Sequence, residues 1–234
     1  MTSFSSTRIR SDSLMHIMEG FLPPFWAIVW TVVALPIVAY GAKRTLTAVK
    51  TDTRTKALIA IGTAFVFVLS ALKLPSVVGS SSHPTGTGVM VVLFGPAVTA
   101  FAATIVLLYQ SLLLAHGGLT TLGANVTAMG IVGPFVGWAA YRLVRPHLSL
   151  EQATFVAAVL TDWVTYLTTS VQLGLAFPGG EGIAGVVSST VDFAAVFAIT
   201  QLPIGIFEGL IAAALVGYLV RVGSITKDRL GVTA

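Results

Sequence analysis

Cysteine is absent from this chain of 234 residues, which excludes disulfide bonds, thiolate metal sites and iron–sulfur clusters. Charged residues are scarce, at 9% of the chain, whereas soluble domains carry about 25%. Because so few charged residues cannot cover a water-exposed surface, the composition predicts a protein that is embedded in the lipid bilayer. The formal net charge of +4 is modest and indicates membrane orientation rather than a nucleic-acid partner.

Two motifs of known chemistry are also missing. No G-x-x-x-x-G-K-[ST] occurs and no loop is long enough for a nucleotide-binding unit, so any ATP hydrolysis must come from another chain. The absence of H-E-x-x-H argues against an intramembrane metalloprotease. We therefore expect no catalytic residue, no bound cofactor and no enzymatic activity in this chain.

Long apolar runs dominate what is present. Roughly 20 apolar residues span a bilayer as a helix. The runs are Phe25 to Tyr40, Ala57 to Leu72, Val89 to Leu114, Val126 to Val144, Ala153 to Leu175 and Val191 to Val220. They lack the alternation of polar and apolar residues that a membrane β-barrel requires. The sequence thus predicts an all-α polytopic protein, multi-pass in the cell membrane.

Basic residues predict the orientation, because loops rich in Lys and Arg stay in the cytoplasm. The loop after the first run carries five of them: Lys43, Arg44, Lys50, Arg54 and Lys56. The N-terminus and residues 75–88 are then outside, whereas Arg145 and the C-terminus are cytoplasmic. Residues 89–114 must therefore cross twice or dip in and return, and Gly95-Pro96 predicts the break because proline removes a backbone donor. About seven transmembrane helices result.

The N-terminal residues predict a separate segment. Half of residues 1–14 are Ser or Thr, and they lack the apolar stretch of about 7–15 residues that a secretory signal peptide needs. We expect a disordered extension over residues 1–14, a transmembrane domain over residues 15–222 and a cytoplasmic tail over residues 223–234.

Four histidines are present, and His16 and His83 stand out because both fall on the predicted outer side. His147 is interpreted as an interfacial loop residue. His116 opens the stretch HGGLTTLGAN, where a loop or capping function is favoured over ligation. Imidazole suits nickel, copper, zinc and cobalt, so His16 and His83 either share a metal or lie on one side by coincidence.

The order Met15-His16 sharpens the metal hypothesis. If Met15 is the first residue, its amine, the next amide nitrogen and the His16 ring chelate one metal through fused rings. His83 can fill the position left open in the plane, which gives the square-planar nitrogen ligation that nickel(II) and copper(II) favour. An internal Met-His lacks the free amine, and His16 with His83 alone makes a weak site.

Other polar residues have two interpretations each. Ionisable residues in membrane spans are functional candidates by default, so Asp162, Asp192 and Glu208 either line a metal path or hold helices together, the latter being favoured. Around the metal ligands we predict a set of supporting residues: Glu19, Thr85, His116 and Asn125. Asn125 caps a helix or orients the N-terminal loop. Glu19 is close in sequence to the first histidine, and metal-binding histidines usually have a hydrogen-bonded partner.

These motifs together carry a family resemblance. The chain resembles the CbiM/NikM family in the stretches MHIMEGFLPP (15–24), SSSHPTGTG (80–88), LFGP (93–96), HGGLTTLGAN (116–125) and GIVGPFVG (130–137). Members are the substrate-binding membrane subunits of cobalt and nickel energy-coupling-factor transporters. The resemblance runs from Met15 to about Arg221, and HPTGTG is closer to the cobalt branch, CbiM.

The resemblance implies metal ligation by the Met15 amine, by the amide and ring of His16, and by His83. It also implies a seven-helix fold. The partners it implies are a transmembrane coupling subunit, a pair of ATPase subunits and often a small accessory membrane protein. ATP hydrolysis by these partners then drives release of the metal inside, where cobalt feeds cobalamin synthesis. Residues 1–14 depart from the family because they block the Met15 amine. We expect that translation begins at Met15, in preference to removal of the extension or a different mode of binding.

Two alternatives to a cobalt importer stay open. One is a nickel-specific subunit of the same transporter class. The other is a stand-alone secondary transporter of divalent metals, which needs an ion relay through the spans. Asp162 and Glu208 are the candidates for that relay.

Overall fold

The computed structural model describes residues 16–72, 74–75 and 81–225, and most of this part of the chain is helical. In chain order the elements are α1 (Pro24–Thr51), α2 (Thr53–Ser70), β1 (Leu74–Pro75), β2 (Ser81–Ser82), α3 (Thr87–Leu113), α4 (Leu122–Asn125), a π-helix (Val126–Val132), α5 (Gly133–Val144), α6 (Leu150–Ala176) and α7 (Gly182–Arg221). The two short strands pair antiparallel. The predicted all-α polytopic class is confirmed. The extension over residues 1–14 and most of the predicted tail lie outside the described residues.

Within the described part of the chain, five helical units are long and apolar enough to cross a membrane, namely α1, α2, α3, the continuous unit Leu122–Val144, and α7. The hydrocarbon core to be crossed is roughly 30 Å thick. Helix α6 is also 27 residues long, and it packs chiefly against α5 and α7. The chain is therefore a multi-pass membrane protein. The count of about seven membrane helices and the orientation of the termini stay predictions.

Helix α3 turns back on itself at Gly95, where φ is 77° and ψ is 171°. Pro96 follows, and its missing N–H breaks the helical ladder. His83 stands just before α3 and His116 just after it, yet their ring centroids are only 5.2 Å apart, so the helix consists of two arms that double back. The first arm, residues 87–94, is about 12 Å long and too short to cross the bilayer. The predicted break at Gly95-Pro96 is confirmed.

Side-chain caps fix where two of the helices around the site begin. Asp52 accepts hydrogen bonds from the Arg54 N–H at 3.0 Å and from the Thr55 hydroxyl at 2.8 Å, which caps α2. Ser149 and Gln152 form a reciprocal capping box at the start of α6. Both helices then run to the loop that carries His83.

Small residues let the helices approach closely, as is usual in membrane bundles. A Cβ atom at Gly88 would lie 2.5 Å from the Ala158 Cα, and one at Gly137 would lie 2.6 Å from the Ala157 carbonyl oxygen. The first arm of α3 is accordingly buried along its length. The core therefore lies directly against the loop that precedes α3, and this places that loop inside the protein.

Candidate metal centre

Three histidines from three separate loops meet in the protein interior. His16 lies before α1, His83 lies between β2 and α3, and His116 lies between α3 and α4. Their side chains are 6%, 2% and 4% exposed, and one nitrogen of each ring lies within 4.8 Å of the others. Imidazole nitrogens grouped in this way suit cobalt, nickel, copper or zinc.

The hydrogen bonds of His83 define which of its nitrogens is available. Its Nδ1 lies 2.8 Å from the Pro84 carbonyl oxygen. A carbonyl only accepts, so Nδ1 carries the proton and donates it. The Nε2 lone pair then points to His16 Nδ1, 2.9 Å away. A histidine that donates one ring N–H to a backbone carbonyl and offers the other nitrogen is the usual arrangement of a metal ligand.

The separation of these two nitrogens also fits a shared metal. Imidazole nitrogens bind such metals at about 2.0–2.1 Å, and two ligands at a right angle then lie about 2.8–3.0 Å apart. The 2.9 Å between His83 Nε2 and His16 Nδ1 matches neighbouring positions in one coordination plane. A metal ion bound by both nitrogens would replace the hydrogen bond between them.

The ring of His116 lies beside those of His16 and His83. Its ring centroid lies 4.4 Å from that of His16, with the planes tilted by 45°. Its backbone N–H donates to the Gln110 carbonyl at the end of α3 at 3.1 Å, as a loop or capping function requires. The structure also brings its ring beside His16 and His83, where a supporting residue is predicted, because α3 doubles back and returns the loop after it to His83.

The N-terminal loop is held by the end of α4. The Asn125 side chain bonds both backbone groups of Ile17: its Oδ1 accepts from the N–H at 2.9 Å, and its Nδ2 donates to the carbonyl at 3.1 Å. The Thr121 hydroxyl donates to the same carbonyl. Since Ile17 adjoins His16, these bonds fix the backbone next to the first ligand candidate.

Two glycines in the His116 loop make room for the N-terminal loop. A Cβ at Gly118 would lie 2.4 Å from the Glu19 Cα, and one at Gly117, whose φ is +78°, would lie 3.2 Å from the His16 Cβ. Glu19 itself is exposed. Its Oε2 accepts from the Thr120 N–H at 3.2 Å, and hydrogen bonding by Thr120 holds the pKa of this carboxyl below its usual range. Glu19 thus fastens the loop to the protein surface.

The loop of His83 is held from α6 and α7. The Tyr166 hydroxyl donates to the His83 carbonyl at 3.1 Å, and Ser82 shares a hydrogen bond of 2.6 Å with Thr200. Burial, reinforced by the neighbouring His116, lowers the pKa of His83 to about 3. The ring is therefore neutral at physiological pH, which is the form that binds a metal. Sequence reasoning missed Tyr166, whose approach to the loop depends on tertiary packing.

The remaining candidates lie in different surroundings. Asp162 and Glu208 are buried, at 0% and 1% exposure, whereas Asp192 is exposed. Thr85 faces Glu208, and its hydroxyl donates to that carboxyl at 2.9 Å. Met15 lies outside the described residues.

These features define a class: a multi-pass helical membrane protein with an interior cluster of imidazoles suited to a transition metal. The chain belongs to the CbiM family, because residues 16–224 match the family model described as the cobalt uptake substrate-specific transmembrane region.

Individual relatives agree with this assignment. A CbiM protein of Haloquadratum walsbyi is 69% identical, covering 94% of this chain and 100% of that protein. The cobalt transport protein CbiM of Salmonella typhimurium is 50% identical, covering 91% of this chain and 86% of that protein. The crystal structure of a transition metal transporter superposes with a TM-score of 0.77 at 26% identity, covering 92% of this chain and 96% of that one.

Proposed function

We propose that this chain captures cobalt(II) as the metal-binding membrane subunit of an ATP-driven importer of the energy-coupling-factor type. The observation that carries the proposal is the distance of 2.9 Å between His16 Nδ1 and His83 Nε2 in the protein interior. Membership of the CbiM family and similarity to a cobalt transport protein support cobalt as the cargo. Nickel(II) is the alternative cargo, since imidazole nitrogen suits both metals.

The proposed ligands are the Met15 amine, the amide nitrogen and Nδ1 of His16, and Nε2 of His83. A chelate through the His16 amide requires Nδ1 and not Nε2, because only Nδ1 closes a small ring with the backbone. It is Nδ1 that faces His83 in the structure, which supports the chelate. The amine is available only when Met15 is the first residue, so we propose that the metal-binding form begins there. The family match begins at residue 16, in keeping with this start.

His116 is the proposed additional ligand. Its nitrogen lies within 4.8 Å of those of the other two histidines, and its ring centroid is 4.4 Å from that of His16. Square-planar nickel(II) needs only four ligands, whereas cobalt(II) commonly accepts a fifth. His116 therefore favours cobalt over nickel in the proposed site.

The proposed topology has seven membrane helices: α1, α2, the two arms of α3, the unit of α4 and α5, α6, and α7. The N-terminal loop and its histidines face the outside, and Arg221 marks the cytoplasmic end of α7. Lys50 and Arg54 lie in the helical turns on either side of the connection between α1 and α2, and Lys43 lies further back in α1, which supports this orientation by the positive-inside rule. Metal then enters from outside.

ATP hydrolysis is assigned to partners: a transmembrane coupling subunit, ATPase subunits and a small accessory membrane protein. No phosphate-binding motif occurs in the sequence, and this supports the division of labour. Reconstitution into sealed vesicles tests it. We expect cobalt uptake only when the coupling and ATPase subunits of a CbiM-type transporter and ATP are present. ATP-independent uptake by this chain alone would establish the secondary transporter instead.

Direct binding tests the site. His83→Ala in the purified protein should weaken cobalt(II) binding by more than about 100-fold, since even the loss of a ligand's outer partner costs about 10–100-fold. His147→Ala, which alters an exposed histidine, is the matched control and should bind like the unaltered protein. Unaltered binding by His83→Ala would refute the proposed site.

A further inference from the structure

Glu208 lies on α7, far along the chain from the histidines, yet it contacts the loop that carries His83. Its Oε2 accepts from the Thr85 N–H at 2.5 Å, and its Oε1 accepts from the Thr85 hydroxyl at 2.9 Å and from the Gly86 N–H at 2.8 Å. Both carboxyl oxygens are thus used by two consecutive residues of one loop. The side chain is 1% exposed, so water does not compete for these bonds.

We propose that Glu208 is the positioning residue of His83: it clamps the loop 83–86 to α7 and so holds Nε2 at the metal position. This inference rests on the proposed function, in which His83 is a ligand. A second contact between the same helix and loop, Ser82 with Thr200 at 2.6 Å, lies on the other side of His83. The loop is therefore fixed to α7 both before and after the ligand.

The geometry of the loop explains why a clamp is needed. Gly86 has a φ of +72°, and a Cβ there would lie 3.0 Å from the Val66 Cα of α2. The chain passes between α2 and α7 at this point. The backbone N–H groups of residues 85 and 86 make no intrahelical hydrogen bonds, because α3 begins only at Thr87. Buried N–H groups that are left without an acceptor destabilise the fold. Glu208 supplies both acceptors and thereby selects this path for the loop.

A second buried carboxyl group lies close to this clamp. Asp162 Oδ2 lies beside Gly205, one helical turn before Glu208, where a Cβ would come within 2.9 Å of it, and Asp162 also faces the Thr85 backbone. Among the described residues, its oxygens make no hydrogen bond of good geometry. Glu208 therefore supplies the hydrogen bonds that join α7 to the ligand loop after His83, whereas Ser82 and Thr200 join them before it.

A double-mutant cycle on the purified protein tests the clamp, with cobalt(II) chloride as the probe in a competition titration. Glu208→Gln places an amide donor against backbone donors, and we expect it to weaken cobalt(II) binding by about 10–100-fold. In the His83→Ala background the same change should weaken binding by less than about threefold, because coupled residues are not additive. The cobalt absorption spectrum of Glu208→Gln should also approach that of His83→Ala.

Controls separate this inference from the proposed function. Asp192→Asn changes an exposed acid of the same helix and should leave binding intact. If Glu208→Gln does not fold, Thr85→Val removes one of the three bonds and should show the same lack of additivity with a smaller effect. The clamp alone would be overturned if the losses of cobalt(II) affinity in Glu208→Gln and His83→Ala were additive in the double mutant. Normal binding by Glu208→Gln while His83→Ala binds weakly would have the same meaning. Normal binding by His83→Ala would overturn both proposals.

Discussion

His83 Nε2 lies 2.9 Å from His16 Nδ1, although the two residues are 67 positions apart in the chain. His16 is brought there by a loop that docks on α4, and His83 by a loop that is held between α6 and α7. The proposed metal site thus lies where two independently supported loops meet. Changes that displace either loop should alter metal binding without touching a ligand.

Gly118→Ala tests the docking of the N-terminal loop. The added methyl group would meet the Glu19 backbone, since a Cβ at Gly118 lies 2.4 Å from the Glu19 Cα. Overpacking of this kind costs about 1–3 kcal/mol, so we expect cobalt(II) affinity to fall by about tenfold or more. Gly179→Ala is the control, because the nearest atom to its Cβ is 3.8 Å away. Equal affinities in the two variants would show that the loop does not need this contact.

Asn125→Asp tests the hold on Ile17. The acid can still accept from the Ile17 N–H, but it loses the 3.1 Å bond that Nδ2 donates to the Ile17 carbonyl. The Ile17 carbonyl keeps the hydrogen bond from the Thr121 hydroxyl, but it now faces a carboxylate oxygen and loses a bond worth about 0.5–1.5 kcal/mol. We therefore expect cobalt(II) affinity to fall by up to about tenfold. Gln110→Glu makes the same chemical change at a buried amide that bonds Ser70 at 2.8 Å. That control should lower thermal stability while affinity stays near that of the unaltered protein; the opposite pattern would contradict the assignment.

His116→Ala tests the additional ligand. Loss of a fifth ligand changes the ligand field, so the visible absorption bands of the cobalt(II) complex should shift. The preference for cobalt over nickel, measured by competition between the two ions, should also decrease. His147→Ala should leave both readouts unchanged. An unaltered spectrum in His116→Ala would limit this residue to supporting the loop.

The absence of cysteine allows the orientation to be tested with single introduced thiols. Gly180→Cys lies in the exposed loop between α6 and α7, and His147→Cys lies in the exposed turn between α5 and α6. In intact cells a membrane-impermeant thiol reagent should label Gly180→Cys at once, and His147→Cys only after the membrane is opened. The reverse order of labelling would invert the proposed topology.

Much of the fold can be predicted from local features of the sequence. Long apolar runs predict the helices, and the missing N–H of Pro96 predicts the break at Gly95, which the structure contains. The candidate ligands His16 and His83 follow from the Met-His order and the predicted outer side. These features are local, so a single stretch of sequence is enough to recognise each one.

The supporting contacts could not be predicted in the same way. Thr85 and Glu208 are 123 positions apart, and their contact depends on how α7 packs against the loop. The approach of His116 depends on the doubling back of α3, which brings the two ends of that helix together. Proline marks the break, but the direction that the chain takes after it is set by tertiary packing.

The central claim is that His16 and His83 bind one metal ion together with the Met15 amine. X-ray absorption spectroscopy of the cobalt-loaded protein tests it most directly. We predict a shell of nitrogen ligands at about 2 Å from the cobalt ion, together with the outer-shell scattering that imidazole rings produce. In His83→Ala the scattering from one imidazole ring should be lost. A shell of oxygen ligands without imidazole scattering, or a spectrum that His83→Ala leaves unchanged, would contradict the account.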